Sequence, residues 1–355
     1  MKLEQLDIHH LRNITQARLT LHPKCTVVYG DNGSGKTSLL EAIYLLGTGH
    51  SFRTRDITPL IQSDERELTV FARTLTVETV SVQKTSTGLT RVQINHQSCK
   101  SSSELAYFLP CQIFYQDIFN IIDAGPSVRR NVLDWGMFHV KHEYLPIWKD
   151  YKRVLKHRNA LLRQKAKKEV LLPWNNQLVE LSNHLHDMRS TYVKEWMRYF
   201  YQITTALTST PVEVTYYKGW DKKQSDKSLQ DILEEQYESD LYRQYTQSGA
   251  HQADIVFKTT IPGSAKQSYS RGQQKIILIA LKLAQAKLIN KPCIYLFDDV
   301  AAEFDGEHLK RLFDYLKQIE GQFVFTTTDI NKLPIENPPR DYRVIEVKNG
   351  CFEQL

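Results

Sequence analysis

The segment that most restricts the fold is TVVYGDNGSGKTSLLEAIYLL, residues 26–46. It contains the pattern G-x-x-x-x-G-K-[ST] in full, as GDNGSGKT at 30–37. A short apolar run ending in glycine precedes the pattern, and a run of good helix formers follows it. Strand, glycine-rich turn and helix in that order predict a phosphate-binding loop within an α/β fold. Gly30, Gly33 and Gly35 permit positive φ and bare backbone, so that successive N–H groups can converge on phosphate oxygens. Lys36 is suited to neutralise β- and γ-phosphates, and the Thr37 hydroxyl to ligate Mg²⁺. The start of the following helix adds to the positive field. The whole stretch is therefore expected to touch a nucleotide, ATP with Mg²⁺: Gly30, Asp31, Asn32, Gly33, Ser34, Gly35, Lys36, Thr37 and Ser38.

A second alternation of strand and helix returns only far along the chain. DIVFKT (254–259) reads as a strand and 271–290 as a helix. CIYLFDD (293–299) and QFVFTTT (322–328) read as buried strands flanking the helix EHLKRLFDYLKQI. Apolar strands alternating with helices predict a parallel sheet covered on both faces. Residues 68–97 alternate and are rich in Val and Thr, which predicts an antiparallel meander with a turn near Ser86–Gly88. Between these parts, from about residue 119, the pattern is helical. One helix starts at Gly125-Pro126. A second spans about Leu145 to Glu169 and is stopped by Pro173. A third spans about Trp174 to Phe200, with an apolar seam at steps of three and four. The expected organisation is an ATPase lobe from 1–118 and 248–355, interrupted by a helical lobe at 119–247. A length of 355 residues is compatible with two to three domains.

LFDD (296–299) ends a buried strand with two carboxylates. Adjacent acids there are costly unless a cation or charged ligand is near. Strands of such a sheet end at the ligand crevice. Asp298 is expected to hold Mg²⁺ through a water, and Asp299 to polarise the attacking water. YSRGQQK (269–275) places Ser270, Gly272 and Gln273 at the start of a buried helix, a set that suits an anion. The phosphate loop already cradles phosphates, so this second anion site is expected to address ATP held by another copy of the chain.

GDNGSGKT, SRGQQ and LFDD, in that order around a helical insertion, resemble the ABC-type ATPases of the SMC and Rad50 group. HHLRN (9–13), TSLLEAIYLLGTGHSFRTRD (37–56), AGPSVRRNVLDWGMFHV (124–140), LKHRNALLR (155–163), SGAHQAD (248–254), SRGQQKIILIALKLAQ (270–285) and LFDDVAAEFD (296–305) are similar to its bacterial DNA replication and repair branch. The resemblance implies an ATP-dependent homodimer, closed by Ser270 and Gly272 of one copy on the ATP of the other. It implies that Arg12 and Asn13 lie against adenine and phosphates, and that Asp305 crosses the dimer interface. Gln116 matches a loop that links Mg²⁺ to the inserted lobe; alternatively it is polar surface. Arg53 and Arg55 are positioned to reach phosphate or are surface arginines. Two positions depart from the pattern: Asp299 stands for glutamate, and Thr328 stands for a histidine. A shorter base and no imidazole imply slow hydrolysis. The implied role is in recombinational repair, with RecR and RecO as partners.

The composition bears on partners. Forty-six Lys and Arg against 40 Asp and Glu give a net charge of +6, which favours an acidic partner such as nucleic acid. Lys149, Arg153, Lys156, Arg163 and Lys167 recur on one face of the second helix, and Arg129 and Arg130 stand at the base of the insertion. Such a stripe suits a duplex backbone without base specificity; alternatively it is a solvated helix face. Arg129 and Arg130 are alternatively partners of Asp134 or other carboxylates. Five scattered cysteines without a C-x-x-C pair point to a reducing compartment and away from zinc. The N-terminus has no apolar signal-like run, and no stretch reaches the roughly 18–20 apolar residues that span a bilayer. A cytoplasmic protein is expected. The nucleotide-binding subunit of a transporter shares the motifs and is the main alternative. A nuclease-linked ATPase would need a further acidic metal-binding domain, for which no room is expected after Asp305.

Overall fold

The computed structural model describes residues 1–99, 101–116, 121–122, 125–222, 225–258, 269–289, 291–335 and 342–354. The chain divides into two compact units. The first comprises Met1–Phe119, Ala206–Thr208 and Ile289–Leu355; the second comprises Asn120–Thr205 and Ser209–Leu288.

The first unit contains two sheets. The antiparallel sheet has the order β2-β1-β4-β5-β6-β7, built from β1 (Leu3–Leu11), β2 (Ile14–Thr20), β4 (Glu67–Thr74), β5 (Thr79–Thr85), β6 (Thr90–Ile94) and β7 (Gln97–Ser98). The expected meander is thus one part of a larger sheet that begins with the N-terminal hairpin. The other sheet has the order β14-β13-β3-β12-β11-β8. It comprises β3 (Cys25–Tyr29), β8 (Cys111–Phe114), β11 (Cys293–Phe297), β12 (Gly321–Thr327), β13 (Arg343–Lys348) and β14 (Cys351–Gln354). β13, β3, β12, β11 and β8 pair in parallel, and β14 is an antiparallel edge. Every residue of β11 and β12 is buried, as expected for central parallel strands covered on both faces.

The helix α1 (Lys36–Thr48) packs against β1, β4 and β5 of one sheet and β8 and β12 of the other. That explains its composition: Leu39, Leu40, Ala42, Ile43, Leu45 and Leu46 point in several directions and are all fully buried. An ordinary surface helix keeps one polar face. Leu6, Ile8 and Val70 of the first sheet share one hydrophobic core with Val28, Leu296 and Val324 of the second. Gln322 on β12 joins the sheets through polar atoms. Its Oε1 accepts from Leu3 N–H and its Nε2 donates to the Leu3 carbonyl, both at 2.7 Å.

The second unit contains α3 (Pro126–Val140), α4 (Tyr144–Arg163), α5 (Lys168–Leu207, of which Ala206 and Leu207 belong to the first unit), α6 (Leu229–Glu235), α7 (Tyr237–Arg243) and α8 (Arg271–Lys287), with α2 (Ser102–Phe108) lying in the first unit. Three expectations need correction. Pro173 does not stop a helix; it sits in the second turn of α5. The carbonyl deprived of its donor there belongs to Glu169, which is exposed and can bond to water. The break falls instead at 164–167, where Lys165 takes a positive φ of 53°. The strand β10 (Asp254–Lys258) does not join the ATPase sheet but pairs with β9 (Glu213–Tyr217) in a separate two-stranded sheet. Consequently the second boundary lies at 288/289 and not at 247/248, and α8 belongs to the helical unit. The first expected boundary, 118/119, lies outside the described residues.

The seam of α5 is not purely apolar. Arg189 is fully buried, with Nη2 on Asp134 at 2.9 Å and Nη1 on the Ala250 carbonyl at 2.7 Å. Arg158 of α4 is also fully buried and pairs with Asp240 at 2.8 Å. Buried guanidinium groups need such partners, since an uncompensated buried charge is strongly destabilising.

Candidate functional site

β3 delivers the chain to Gly30, where a side chain could not be accommodated: a Cβ would lie 2.2 Å from the Val347 carbonyl oxygen. Gly35 closes the loop with a φ of 122° as the N-cap of α1, a region that favours glycine. Lys36 is buried, and its Nζ donates to the carbonyls of Gly30 and Asp31 at 2.6 and 2.8 Å. Burial pulls the pKa of Lys36 down, while Asp299, Asp298 and Asp31 pull it up.

The Thr37 hydroxyl lies 3.0 and 3.1 Å from the two carboxylate oxygens of Asp298, across 261 residues of sequence. Thr326 of the neighbouring strand donates to Asp298 Oδ1 at 2.9 Å. Burial pushes the Asp298 carboxyl up; the hydrogen bonds from Thr326 and Thr37 act against it, as does the charge of Arg53. Asp299 adopts a left-handed backbone, with φ 46° and ψ 47°. Its Oδ1 is buried without a hydrogen-bond partner among the described residues.

A cavity of about 1060 Å³ is lined by Asn32, Gly33, Gly35, Lys36, Thr37, Ser38, Asp298 and Asp299, together with Arg12, Asn13, Arg53 and Gln116. Gln116, just beyond β8, therefore stands at the cavity with Asp298. Arg55 is exposed and does not line it. Thr328 is exposed immediately after β12 and does not line it either.

Arg12 and Asn13 line the cavity, as expected of residues against a nucleotide, and their polar groups are also engaged inside the chain. Arg12 Nε and Nη2 chelate the fully buried carboxylate of Glu41 at 2.8 and 3.0 Å, and Nη1 donates to the Pro59 carbonyl at 2.8 Å. A carboxylate buried on α1 needs that counter-charge. Asn13 donates to the Gly33 carbonyl and accepts from the Ser38 hydroxyl, both at 3.0 Å. Both residues brace the phosphate loop from the wall of the cavity. Glu41 is visible in the sequence as the one charge inside LLEAIYLL, but its partner 29 residues away is not.

The start of α8 is also partly self-satisfied. Ser270 caps the helix, its Oγ accepting from Gln273 N–H at 3.2 Å while Gln273 Oε1 accepts from Ser270 N–H at 2.9 Å. This reciprocal capping box occupies the Gln273 side-chain oxygen and leaves its amide N–H groups, the donors that suit an anion, outside the cap. Asp305, expected at a dimer interface, caps α10 (Gly306–Leu316, following the short α9, Val300–Glu303). It accepts from His308 N–H at 2.9 Å, and this bond together with the His308 ring holds its carboxyl below the usual range.

The donor set suits a hard divalent cation. Thr37 and Asp298 offer oxygen only, and among the described residues no cluster of three or more His, Cys, Asp or Glu forms a cage. Mg²⁺ ordinarily takes one or two protein oxygens and completes its shell with water and phosphate. Thr37 and Asp298 therefore fit Mg²⁺ accompanied by a nucleotide, and the Asp299 oxygen, without a partner among the described residues, is left for a water.

The RecF/RecN/SMC N-terminal domain family matches residues 2–353. A DNA replication and repair protein RecF from Cellvibrio japonicus is 34% identical over 99% of this chain and 98% of its own length. One from Acinetobacter baumannii is 38% identical over the same shares. This chain belongs to the RecF family. Its fold is that of an ABC-type ATPase head. A RecF structure described with ATP superposes with a TM-score of 0.84 at 23% identity, covering 100% of this chain and 97% of the other. An SMC head domain derived from Pyrococcus furiosus superposes at 0.58 and 16% identity, covering 100% and 96%.

The basic residues separate into two kinds. Lys149, Arg153, Lys156 and Arg163 are exposed on α4, opposite its buried Tyr151, Val154, Arg158 and Leu162. Lys167 is exposed but lies past the end of α4, in the turn before α5. For Arg129 and Arg130 the structure bears on the alternative of internal partners. Arg129 forms a two-pronged ion pair with Asp254 of β10, both bonds at 2.8 Å, and Arg130 donates to the Ala253 carbonyl at 3.1 Å. They fasten α3 to β10. Among the described residues no helix is long and apolar enough to cross a membrane.

Proposed function

We propose that this chain is an ATP-dependent, double-stranded-DNA-binding protein of recombinational repair and replication restart, in which ATP drives dimerisation and slow hydrolysis reverses it. The observation that carries the reading is the contact between Thr37 and Asp298, which joins two motifs 261 residues apart on one nucleotide-sized cavity. Lys36 turns from the loop carbonyls to the β- and γ-phosphates. Thr37 and Asp298 hold Mg²⁺, with Gln116 near them; the ion, when bound, offsets phosphate charge. Asp299 polarises a water. That water forms a bond to the γ-phosphorus as the bond to the β–γ bridging oxygen breaks, its proton passing by way of Asp299 to the phosphate released beside ADP.

Ser270 and Gly272 of the second copy complete the site. Among the described residues a Cβ at Gly272 would meet nothing nearer than the Ser270 hydroxyl at 4.0 Å. The open space at Gly272 suits a close approach by nucleotide to the bare backbone at the start of α8. Asp305 contributes at the same interface while capping its own helix. With Asp299 one methylene shorter than glutamate and Thr328 unable to act as an imidazole, turnover stays below ~10 s⁻¹.

The exposed stripe of Lys149, Arg153, Lys156 and Arg163, extended by Lys167, holds the duplex backbone. The relative solved with ATP is described as a recombination mediator of the RecFOR pathway; RecR and RecO are by that kinship the proposed protein partners, and the cytoplasm the proposed location. The transporter-subunit reading is not favoured, since the curated relatives are DNA replication and repair proteins. Duplex-DNA binding over a salt series, with and without ATP, tests the proposal. Binding should require ATP and fall steeply with salt. Replacing Lys149, Arg153 and Lys156 by alanine should lower the salt slope by about one unit for each phosphate no longer neutralised. Binding that ignores ATP would contradict the reading.

A further inference from the structure

Thr326 lies on β12, one strand away from the two acids at the end of β11, and is fully buried. Its hydroxyl touches both acids at once. It accepts from the Asp299 N–H at 2.8 Å and donates to Asp298 Oδ1 at 2.9 Å. One hydroxyl can do both, having one proton and two lone pairs. Asp299 needs such a hold. The left-handed region is uncommon outside glycine, and although aspartate tolerates it better than most residues, its orientation there depends on the hydrogen bonds that hold it. On its other side, the Asp298 N–H is fixed by the Phe114 carbonyl of β8 at 2.9 Å. The two acids are thus suspended between flanking strands, with Thr326 the side chain that addresses both.

We propose that Thr326 is a positioning residue for ATP hydrolysis, setting the orientation of Asp299 and Asp298 relative to each other without touching nucleotide. This rests on the ATPase reading above. Loss of the hydroxyl leaves the Asp299 N–H without its acceptor and Asp298 without one of its donors, and the Asp299 backbone is free to shift. The carboxylate that polarises water then drifts, while the phosphate loop, Lys36 and Thr37 are untouched. The effect belongs in kcat and not in nucleotide binding.

Thr326→Val keeps the side-chain volume and removes the hydroxyl; Thr326→Ala removes it without adding bulk, and serves if the valine variant does not fold. Thr326→Ser keeps it. Full-length protein is assayed with ATP, Mg²⁺ and duplex DNA for kcat and KM, and with a fluorescent ATP analogue for affinity. Thr326→Val or Thr326→Ala should lose about 10- to 100-fold in kcat, the usual scale for residues that orient first ligands. KM and analogue affinity should stay within about 3-fold, since uniform binding is untouched. Thr326→Ser should recover most of the rate. The proposal is overturned if the hydroxyl-free variants turn over like the parent, if serine is as slow as valine, or if affinity collapses together with kcat. A parent that binds ATP and never hydrolyses it sinks the ATPase reading and this proposal together, whereas a parent that hydrolyses alongside an equally active Thr326→Val sinks this proposal alone.

Discussion

Arg129 and Lys149 carry the same charge but differ in environment, and the difference sets what each can do. The side chain of Arg129 is 13% exposed and pairs with an Asp254 side chain that is 11% exposed, whereas Lys149 projects from α4 into solvent. Removing one member of a buried pair leaves an uncompensated charge, at a cost of about 3 kcal/mol; an exposed lysine away from such a pair matters within about 0.5 kcal/mol. Arg129→Ala should therefore lower the melting temperature clearly and Lys149→Ala should not, while only Lys149→Ala should change the salt dependence of DNA binding. Thermal unfolding alongside binding isotherms checks both. The phosphate loop and the paired acids are legible in the sequence because their chemistry is local: a turn of fixed spacing and a doublet ending an apolar run. The internal partners of Arg12, Asn13 and Arg129 are not, because each lies distant in sequence (Glu41, Gly33 and Asp254) and no local pattern announces it.

At the scale of elements, α4 and the 250–252 turn are tied together by His251. Tyr151 OH lies 2.6 Å from its Nδ1, and its Nε2 lies 3.0 Å from the Thr246 carbonyl, an arrangement that suits the neutral ring with the proton on Nε2. Burial, with the charges of Arg130, Lys152 and Arg158 adding to it, pulls the His251 pKa from 6.5 down to about 4. The unfolded chain accordingly takes up the proton first as pH falls. The stability this group contributes is present above pH 6.5 and is lost as pH falls through about 4. The loss is on the order of 3 kcal/mol. Urea unfolding at stepped pH should show a decline over that window that is shallower in His251→Gln; equal slopes would show that His251 is not the group responsible. Elements themselves are readable where periodicity is strong, as in α1, β11 and β12. Pro173 misleads as a stop signal because an early-turn proline removes one bond whose carbonyl faces water. The place of β10 is hidden because a strand's sequence does not say which sheet accepts it: Asp254–Lys258 pairs with Glu213–Tyr217.

On the scale of the whole molecule, the account holds that a nucleotide site is shared between two copies. The phosphate loop and both acids lie in one compact unit, and Ser270 and Gly272 open a helix in the other. Among the described residues Gly272 has open space about it and no contact that calls for glycine. Hydrolysis must then control assembly, and a chain that binds ATP without cleaving it should stay paired. Asp299→Asn retains Lys36, Thr37 and Asp298 and removes the proposed base. The most direct test is the sedimentation of Asp299→Asn, saturated with ATP and Mg²⁺. The account predicts a stable dimer that reverts to monomer when nucleotide is withdrawn and fails to form when Ser270→Arg is added; a species that remains monomeric at full nucleotide occupancy would contradict it.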